Sequence, residues 1–122
     1  MPPSLTARRL HAQGISAPAA ASPAGAVRHL GAMQAPDYPA ALWAVGLRTQ
    51  GATRAQVDEA IERGEIVRTW PMRGTLHLLA REDVRWMVAL LAPRVQAANA
   101  ARIARDLGLD AAALTRGRHV VE

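Results

Sequence analysis

The chain has 122 residues, and its fifteen basic residues are all arginine, giving a net charge of +5 against ten acidic residues. It contains no cysteine, which excludes disulfides and thiolate metal sites, and no apolar run reaches the roughly 20 residues of a membrane-spanning helix. Half of the residues are hydrophobic, but Phe is absent and only three Trp and one Tyr are present. This composition favours one modest, mainly helical domain over a β-sandwich.

The first third of the chain predicts two short helices separated by a linker. Ser4 is a suitable N-cap for a helix that Gly14 would end. Residues 16–21 are rich in Ala, Pro and Ser and indicate a linker. Ser22, followed by proline, starts a second helix, whose apolar residues at helical spacing are Val27, Leu30 and Met33.

Two further helices follow an interruption by two prolines. An apolar segment at residues 39–49 predicts the third helix. Thr53 and Gln56 have the spacing of a capping box, so a fourth helix is expected to begin there and to end at Gly64.

The pattern then changes to a β-hairpin and a long helix. Residues 66–72 and 75–79 predict two strands, with Arg73 and Gly74 at the turn between them. Helical periodicity resumes at about Arg81, and Pro93 is expected to kink or restart this helix. Gly108 would close it, and Asp110 would cap one more helix.

This order of elements predicts a mainly α fold with a small β-hairpin, as in a winged helix-turn-helix. The predicted organisation is an N-terminal helix with its linker at residues 1–21, a winged-helix module at 22–92 with its hairpin at 66–79, and a connecting helix with the start of a second, truncated module at 93–122. A small α+β domain without a nucleic-acid role has a similar layout, and layout alone does not establish function.

The helix at residues 53–63 would occupy the recognition position, but its charge argues against reading of a DNA sequence. Four acidic residues compete with two arginines in this region, and phosphate groups would repel such a face. We therefore expect the helix to serve packing, with DNA contacts made elsewhere. The residues concerned are Asp58, Glu59, Glu62 and Glu65 against Arg54 and Arg63.

Two segments carry a family resemblance. Residues 33–48 (MQAPDYPAALWAVGLR) and 67–79 (VRTWPMRGTLHLL) resemble signature stretches of a bacterial winged-helix family that includes the AlkZ-type DNA glycosylases, which unhook interstrand crosslinks. The likeness covers most of residues 5–92. Members of this family carry three winged-helix modules, so the chain resembles the N-terminal module or a truncated homologue.

The resemblance implies a catalytic Gln-x-Gln signature, in which amides orient water and the sugar because an alkylated purine is already a good leaving group. Gln34 matches the first position, but Pro36 occupies the third and offers no side-chain donor or acceptor. Asp37, one residue later, is the alternative source of a carboxylate. The catalytic candidates are therefore Gln34 and Asp37, and we expect the chain not to be catalytic by itself. A helix-end amide that caps local backbone is the alternative role for Gln34.

The hairpin supplies the candidates for contact with DNA, which are Arg68, Arg73, Thr75 and His77. Arg73 at the turn is suited to a phosphate or the minor groove. A structural role in the core is the competing interpretation for His77. Trp43 and Trp70 are expected in the core rather than as platforms for base stacking, because few large side chains are available to fill it.

The expected partner is double-stranded DNA, with alkylated or crosslinked duplexes as the substrates that the resemblance implies. No cofactor, metal or membrane is expected, and the predicted location is the cytoplasm. Two alternatives remain open: a non-catalytic DNA-binding or structural winged-helix protein, and a truncated product that associates with itself through the surface meant for other modules. Arg94, Arg102 and Arg105 on the later helix indicate either a face that tracks phosphates or a solvated one.

Overall fold

The computed structural model describes residues 2–18 and 20–121; Met1, Ala19 and Glu122, which the predicted domain ranges include, lie outside the described residues. This part of the chain is mainly helical and contains one small antiparallel sheet. Its elements in order are α1 (Leu5–Ala12), α2 (Pro23–Leu30), β1 (Met33–Gln34), α3 (Tyr38–Gly46), α4 (Arg54–Glu62), β2 (Ile66–Met72), β3 (Thr75–Ala80), α5 (Arg81–Leu107) and α6 (Ala111–Val121).

The sheet has the strand order β1-β3-β2, so the last strand in sequence is the central one. Leu78 of β3 is opposite both Met33 of β1 and Arg68 of β2, and His77 is opposite Gln34 and Thr69. Because directly opposite residues in an antiparallel ladder lie on the same face, these two rows define the two faces of the sheet.

The two faces have different coverings. The face that contains Leu78 joins the core formed with α2, α3 and α4, in which Val27, Val45 and Val57 are fully buried. His77 and Leu79 on the other face are also buried, at 2% and 0% exposure, but lie outside that cluster. The long helix α5 packs against β2 and β3, and we infer that it covers this second face.

The predicted helix starts are confirmed by their caps. The hydroxyl oxygens of Ser4 and Ser22 accept hydrogen bonds from the backbone N–H groups of Ala7 and Gly25 at 3.2 and 3.1 Å. At α4 the capping box is complete, because the Thr53 N–H donates to the Gln56 side-chain oxygen at 2.8 Å and the Thr53 hydroxyl accepts from the Gln56 N–H. Each cap satisfies a backbone donor that the first helical turn leaves without a partner.

Two sequence-based assignments differ from the structure. Met33, predicted on the second helix, lies in β1, because α2 ends at Leu30 and Gly31 follows with φ 73°. A two-residue strand has no pattern of its own and exists here only through its pairing with β3. Pro93 does not restart a helix, since α5 is one helix from Arg81 to Leu107 with Pro93 inside it. The domain boundary predicted at 92/93 lies within this helix and stays a prediction.

The expectation that Trp43 and Trp70 fill the core is wrong. Their exposed fractions are 69% and 60%, and Trp86 is 52% exposed. The core is closed instead by small aliphatic side chains, and alanine is prominent among its members. Helices whose backbones approach each other closely leave little space between them for large side chains. Small aliphatic residues therefore fill this core, and the tryptophans lie at the surface.

An ion pair connects α2 with the start of α5. The Arg28 guanidinium donates to the Glu82 carboxylate. The N-cap position of α5 is Ala80, which has no side-chain cap, and the carboxylate of Glu82 accepts from its own backbone instead. This backbone hydrogen bond, followed by the bond from Arg28, holds the pKa of Glu82 below its usual value.

None of the described helices is both long enough and apolar enough to cross a membrane.

Ser4 caps α1 and Thr53 caps α4, so removal of each cap compares a helix outside the core with a helix that packs in it. Thr53→Ala is expected to lower the free energy of unfolding by about 1 kcal/mol, because α4 carries the buried Val57 and Ala60. Ser4→Ala removes the same kind of cap from α1, which buries no residue, and is expected to change stability by less than about 0.5 kcal/mol. Urea unfolding followed by circular dichroism measures both, and equal losses would contradict the inference that α4 packs in the core whereas α1 does not.

Candidate functional site

The segment from Gln34 to Asp37 connects the sheet to α3. Gln34 is exposed at the end of β1. Ala35 is fully buried, and its N–H donates to the Leu76 carbonyl at 2.8 Å. Asp37 is the N-cap of α3, and its Oδ1 accepts from the Ala40 N–H at 3.0 Å. One of the two catalytic candidates is therefore engaged in a structural hydrogen bond, while the amide of the other faces solvent.

Arg68 fixes this segment to the hairpin. Its Nε and Nη2 donate to the Ala35 carbonyl at 3.0 and 2.7 Å, and Nη2 also donates to the Pro36 carbonyl at 3.0 Å. The guanidinium carbon lies 5.4 Å from the centroid of the Tyr38 ring, within the range of a cation–π interaction. Arg68 thus acts as a tether within the fold, because its Nε and Nη2 donate to backbone carbonyls of the Gln34–Asp37 segment.

His77 lies inside the molecule. Its exposure is 2%, and its Nδ1 is 2.8 Å from the Thr75 carbonyl oxygen. Since a carbonyl only accepts hydrogen bonds, this contact places a proton on Nδ1. The burial favours the structural role that was the alternative for His77 over direct contact with DNA.

The turn of the hairpin has the geometry that its sequence predicts, with one unusual member. Arg73 and Gly74 both have positive φ, at 53° and 68°, as the type I′ form of a two-residue hairpin turn requires. Arg73 is the one residue other than glycine with positive φ among the residues that the structure describes. A side chain with a Cβ costs about 1–2 kcal/mol in this conformation. Arg73 and the neighbouring Thr75 are both exposed.

The arginines fall into two groups. One group binds backbone carbonyls or carboxylates of the fold: Arg28, Arg48, Arg54, Arg63, Arg68, Arg81 and Arg105. The other group has no hydrogen bond or salt bridge from its side chain within the described part of the chain: Arg8, Arg9, Arg73, Arg85, Arg94, Arg102 and Arg116. The second group, which the sequence alone does not separate from the first, is the one available to an anionic partner.

The charge of α4 is as the sequence predicts. Arg54, at the start of α4, forms a salt bridge with Asp58 at 3.4 Å, and Arg63 forms one with Glu59. With Arg54 and Arg63 paired, the carboxylates of Glu62 and Glu65 remain exposed on this surface, and the guanidinium of Arg81 binds the Arg63 and Gly64 carbonyls at the same helix end. Direct insertion of α4 into a DNA groove would bring these carboxylates towards phosphate groups.

Among the described residues, no three or more His, Asp or Glu side chains come together as a metal site.

Substitution of Arg68 tests its tethering role. Arg68→Gln is expected to lower the free energy of unfolding by about 1.5–3 kcal/mol, because the charge-assisted bonds to two backbone carbonyls are lost. Arg68→Lys keeps the charge but not the fork of donors, and should recover less than half of that loss. Urea unfolding measures the stability, and backbone amide shifts of Ala35 and Asp37 report the loop. Wild-type stability in Arg68→Lys would show that charge, rather than the planar donor geometry, holds the segment.

Most of the chain matches a known protein family. The family model described as "DNA glycosylase AlkZ-like" matches residues 27–121, which include β1, the hairpin and the whole of α5. No curated protein and no solved structure shows a detectable similarity to the chain. The family match covers well over half of the chain, and it includes the Gln34 segment and the arginines of the hairpin. The chain belongs to the AlkZ-like DNA glycosylase family.

Proposed function

We propose that this chain is a winged-helix DNA-binding module of an AlkZ-like glycosylase, that it contacts duplex DNA through the β2–β3 hairpin, and that it is not catalytic by itself. Family membership relates the chain to DNA repair glycosylases. We propose three things beyond family membership: that the chain is a winged-helix module, that it contacts DNA through the hairpin, and that it does not catalyse base release by itself.

The order of elements supports the winged-helix assignment. A helix, a short strand, two helices and a hairpin follow one another from α2 to β3, and the short strand pairs with the second strand of the hairpin. In a winged helix α3 and α4 are the helix-turn-helix and the hairpin is the wing. The negative surface of α4 makes the wing the better route to DNA.

The observation that carries the proposal is the state of Arg73. An exposed guanidinium without a partner in the described structure stands at the tip of the hairpin, in a backbone conformation that Gly or Asn would adopt at lower cost. Strain of this kind is concentrated at functional positions. Among the DNA-contact candidates, Arg73 and Thr75 remain in the proposal, whereas Arg68 and His77 serve the interior.

The Gln34 segment supports the non-catalytic part of the proposal. Pro36 provides only its backbone carbonyl, which accepts from Arg68, and the carboxylate of Asp37 caps α3. Gln34 therefore has no second polar side chain from this signature with which to position a water. An alkylated or crosslinked base would need groups from elsewhere.

Self-association is the alternative role that a specific observation favours. Trp86 and Leu90 are one helical turn apart on α5, and their exposed fractions are 52% and 64%. An apolar pair of this size on one helix face is a potential contact for another copy or module. Sedimentation of the chain between micromolar and millimolar concentration distinguishes this role, since the DNA-binding role requires no association.

Removal of the Arg73 side chain is the main test of DNA binding. Arg73→Gly keeps the positive φ of the turn, so stability should be unchanged or raised by at most about 1 kcal/mol. The affinity for a plain duplex should fall on the order of eightfold at 0.1 M salt, and the slope of log K against log salt should decrease by about 0.9, the contribution of one phosphate contact. Fluorescence anisotropy across a salt series measures both quantities.

The control for this test is Arg102→Ala, which removes an exposed arginine far along α5. It should change affinity less than the hairpin variant does. Equal effects of the two substitutions would contradict contact through the wing, and no binding by the wild-type chain at low salt would contradict the DNA-binding proposal as a whole.

Catalysis is tested on duplexes that contain 7-methylguanine. We expect the wild-type chain to release no base above the spontaneous rate, and Gln34→Ala to behave in the same way, when release is measured by liquid chromatography and mass spectrometry. Release by the wild-type chain that Gln34→Ala abolishes would instead make Gln34 a catalytic residue despite Pro36.

A further inference from the structure

A groove separates the tip of the hairpin from the middle of α5. Its volume is about 460 Å³, within the range of about 300–1,000 Å³ typical of ligand sites. The hairpin and the helix both contribute lining residues. The lining residues on which the argument depends are Met72 and Arg73 from the hairpin and Leu91, Arg94, Val95 and Asn99 from α5.

The charges of the groove have one sign. Arg73 comes from the hairpin and Arg94 from α5, and neither has a hydrogen bond or a salt bridge from its side chain in the described part of the chain. No acidic residue is among the described lining residues. Asn99 is half-buried and adds an amide that both donates and accepts hydrogen bonds. The groove therefore differs in sign from the surface of α4.

The rest of the lining includes apolar side chains. Met72, Leu91 and Val95 are half-buried, so each presents part of its hydrocarbon surface to the groove. A ligand that matches this arrangement has anionic groups at its edges and a less polar portion between them. Guanidinium groups bind phosphate oxygens through paired donors, and a deoxyribose ring is the less polar unit that separates successive phosphates in a DNA strand.

We propose that this groove, formed by the hairpin tip and α5, binds the sugar–phosphate backbone of one DNA strand, with Arg73 and Arg94 on neighbouring phosphates. This inference rests on the proposed DNA-binding function and extends the contact surface from the wing to α5. It also assigns Arg94 to the phosphate-binding face and separates it from Arg102, which does not line the groove.

The test compares the salt dependence of duplex binding for single and double variants of the full chain. Arg94→Ala is expected to lower affinity on the order of eightfold at 0.1 M salt and to decrease the salt slope by about 0.9. Arg73→Gly combined with Arg94→Ala should decrease the slope by about 1.8, because two phosphate contacts are lost. Arg102→Ala is the control for the loss of one positive charge from the same helix.

A second pair of variants tests the groove by adding charge rather than removing it. Ala98 lines the groove and Ala101 does not, and both are exposed on α5. Ala98→Asp and Ala101→Asp change the net charge equally, so a larger loss of affinity for Ala98→Asp isolates the groove. Urea unfolding of each variant confirms that the fold is retained.

The outcomes separate this inference from the proposed function. If Arg73→Gly weakens binding while Arg94→Ala matches Arg102→Ala, and Ala98→Asp matches Ala101→Asp, the groove is overturned and the wing contact stands. If the wild-type chain does not bind duplex DNA at low salt, both are overturned.

Discussion

Backbone pairing through β3 is the constraint on which the rest of this structure depends. This strand binds β1 on one side and β2 on the other, and its Leu78, Leu79 and Ala80 have no exposed surface. The helices α2–α4 pack on one face, and we assign α5 to the other. A one-residue slip of β3 would exchange these faces, which would move Leu78 to the face assigned to α5 and bring the polar His77 into the helical core. The burial of both faces therefore fixes the register, and the register fixes where Gln34 and the hairpin tip lie.

The arginines show how one residue type serves two purposes in the same small domain. Arg48, Arg68 and Arg81 each donate to backbone carbonyls at the end of another element, and the planar fork of donors allows one side chain to satisfy two such acceptors. Lysine would supply a charge without this geometry. The remaining exposed arginines have no such partners in the described chain, and they include the two that line the groove between the hairpin and α5.

The distribution of charge suggests how the proposed module would meet DNA. The surface of α4 has its cations paired and carboxylates left over, whereas the groove beside the hairpin has cations and no acid among its described lining residues. An approach through the hairpin and α5 brings phosphate groups to the positive surface and keeps them from the negative one. Arg73 occupies a turn position that favours Gly or Asn, and the proposed contact with phosphate gives a reason for that cost.

The sequence by itself determined the local structure of this chain: the caps at Ser4, Ser22 and Thr53, the end of α4 before Gly64, and the two-residue hairpin turn. These depend on interactions between residues three or four positions apart, so they can be read from spacing. The tertiary structure alone decided that Met33 and Gln34 form a strand, that Trp43 and Trp70 lie outside the core, and that Arg68 binds the carbonyls of Ala35 and Pro36. Each of these depends on contacts between residues that are distant in sequence, and residue type alone does not specify which surfaces meet. The placement of Arg73 and Arg94 in the lining of one groove is also decided by the tertiary structure, because the groove exists only where the hairpin and α5 lie side by side.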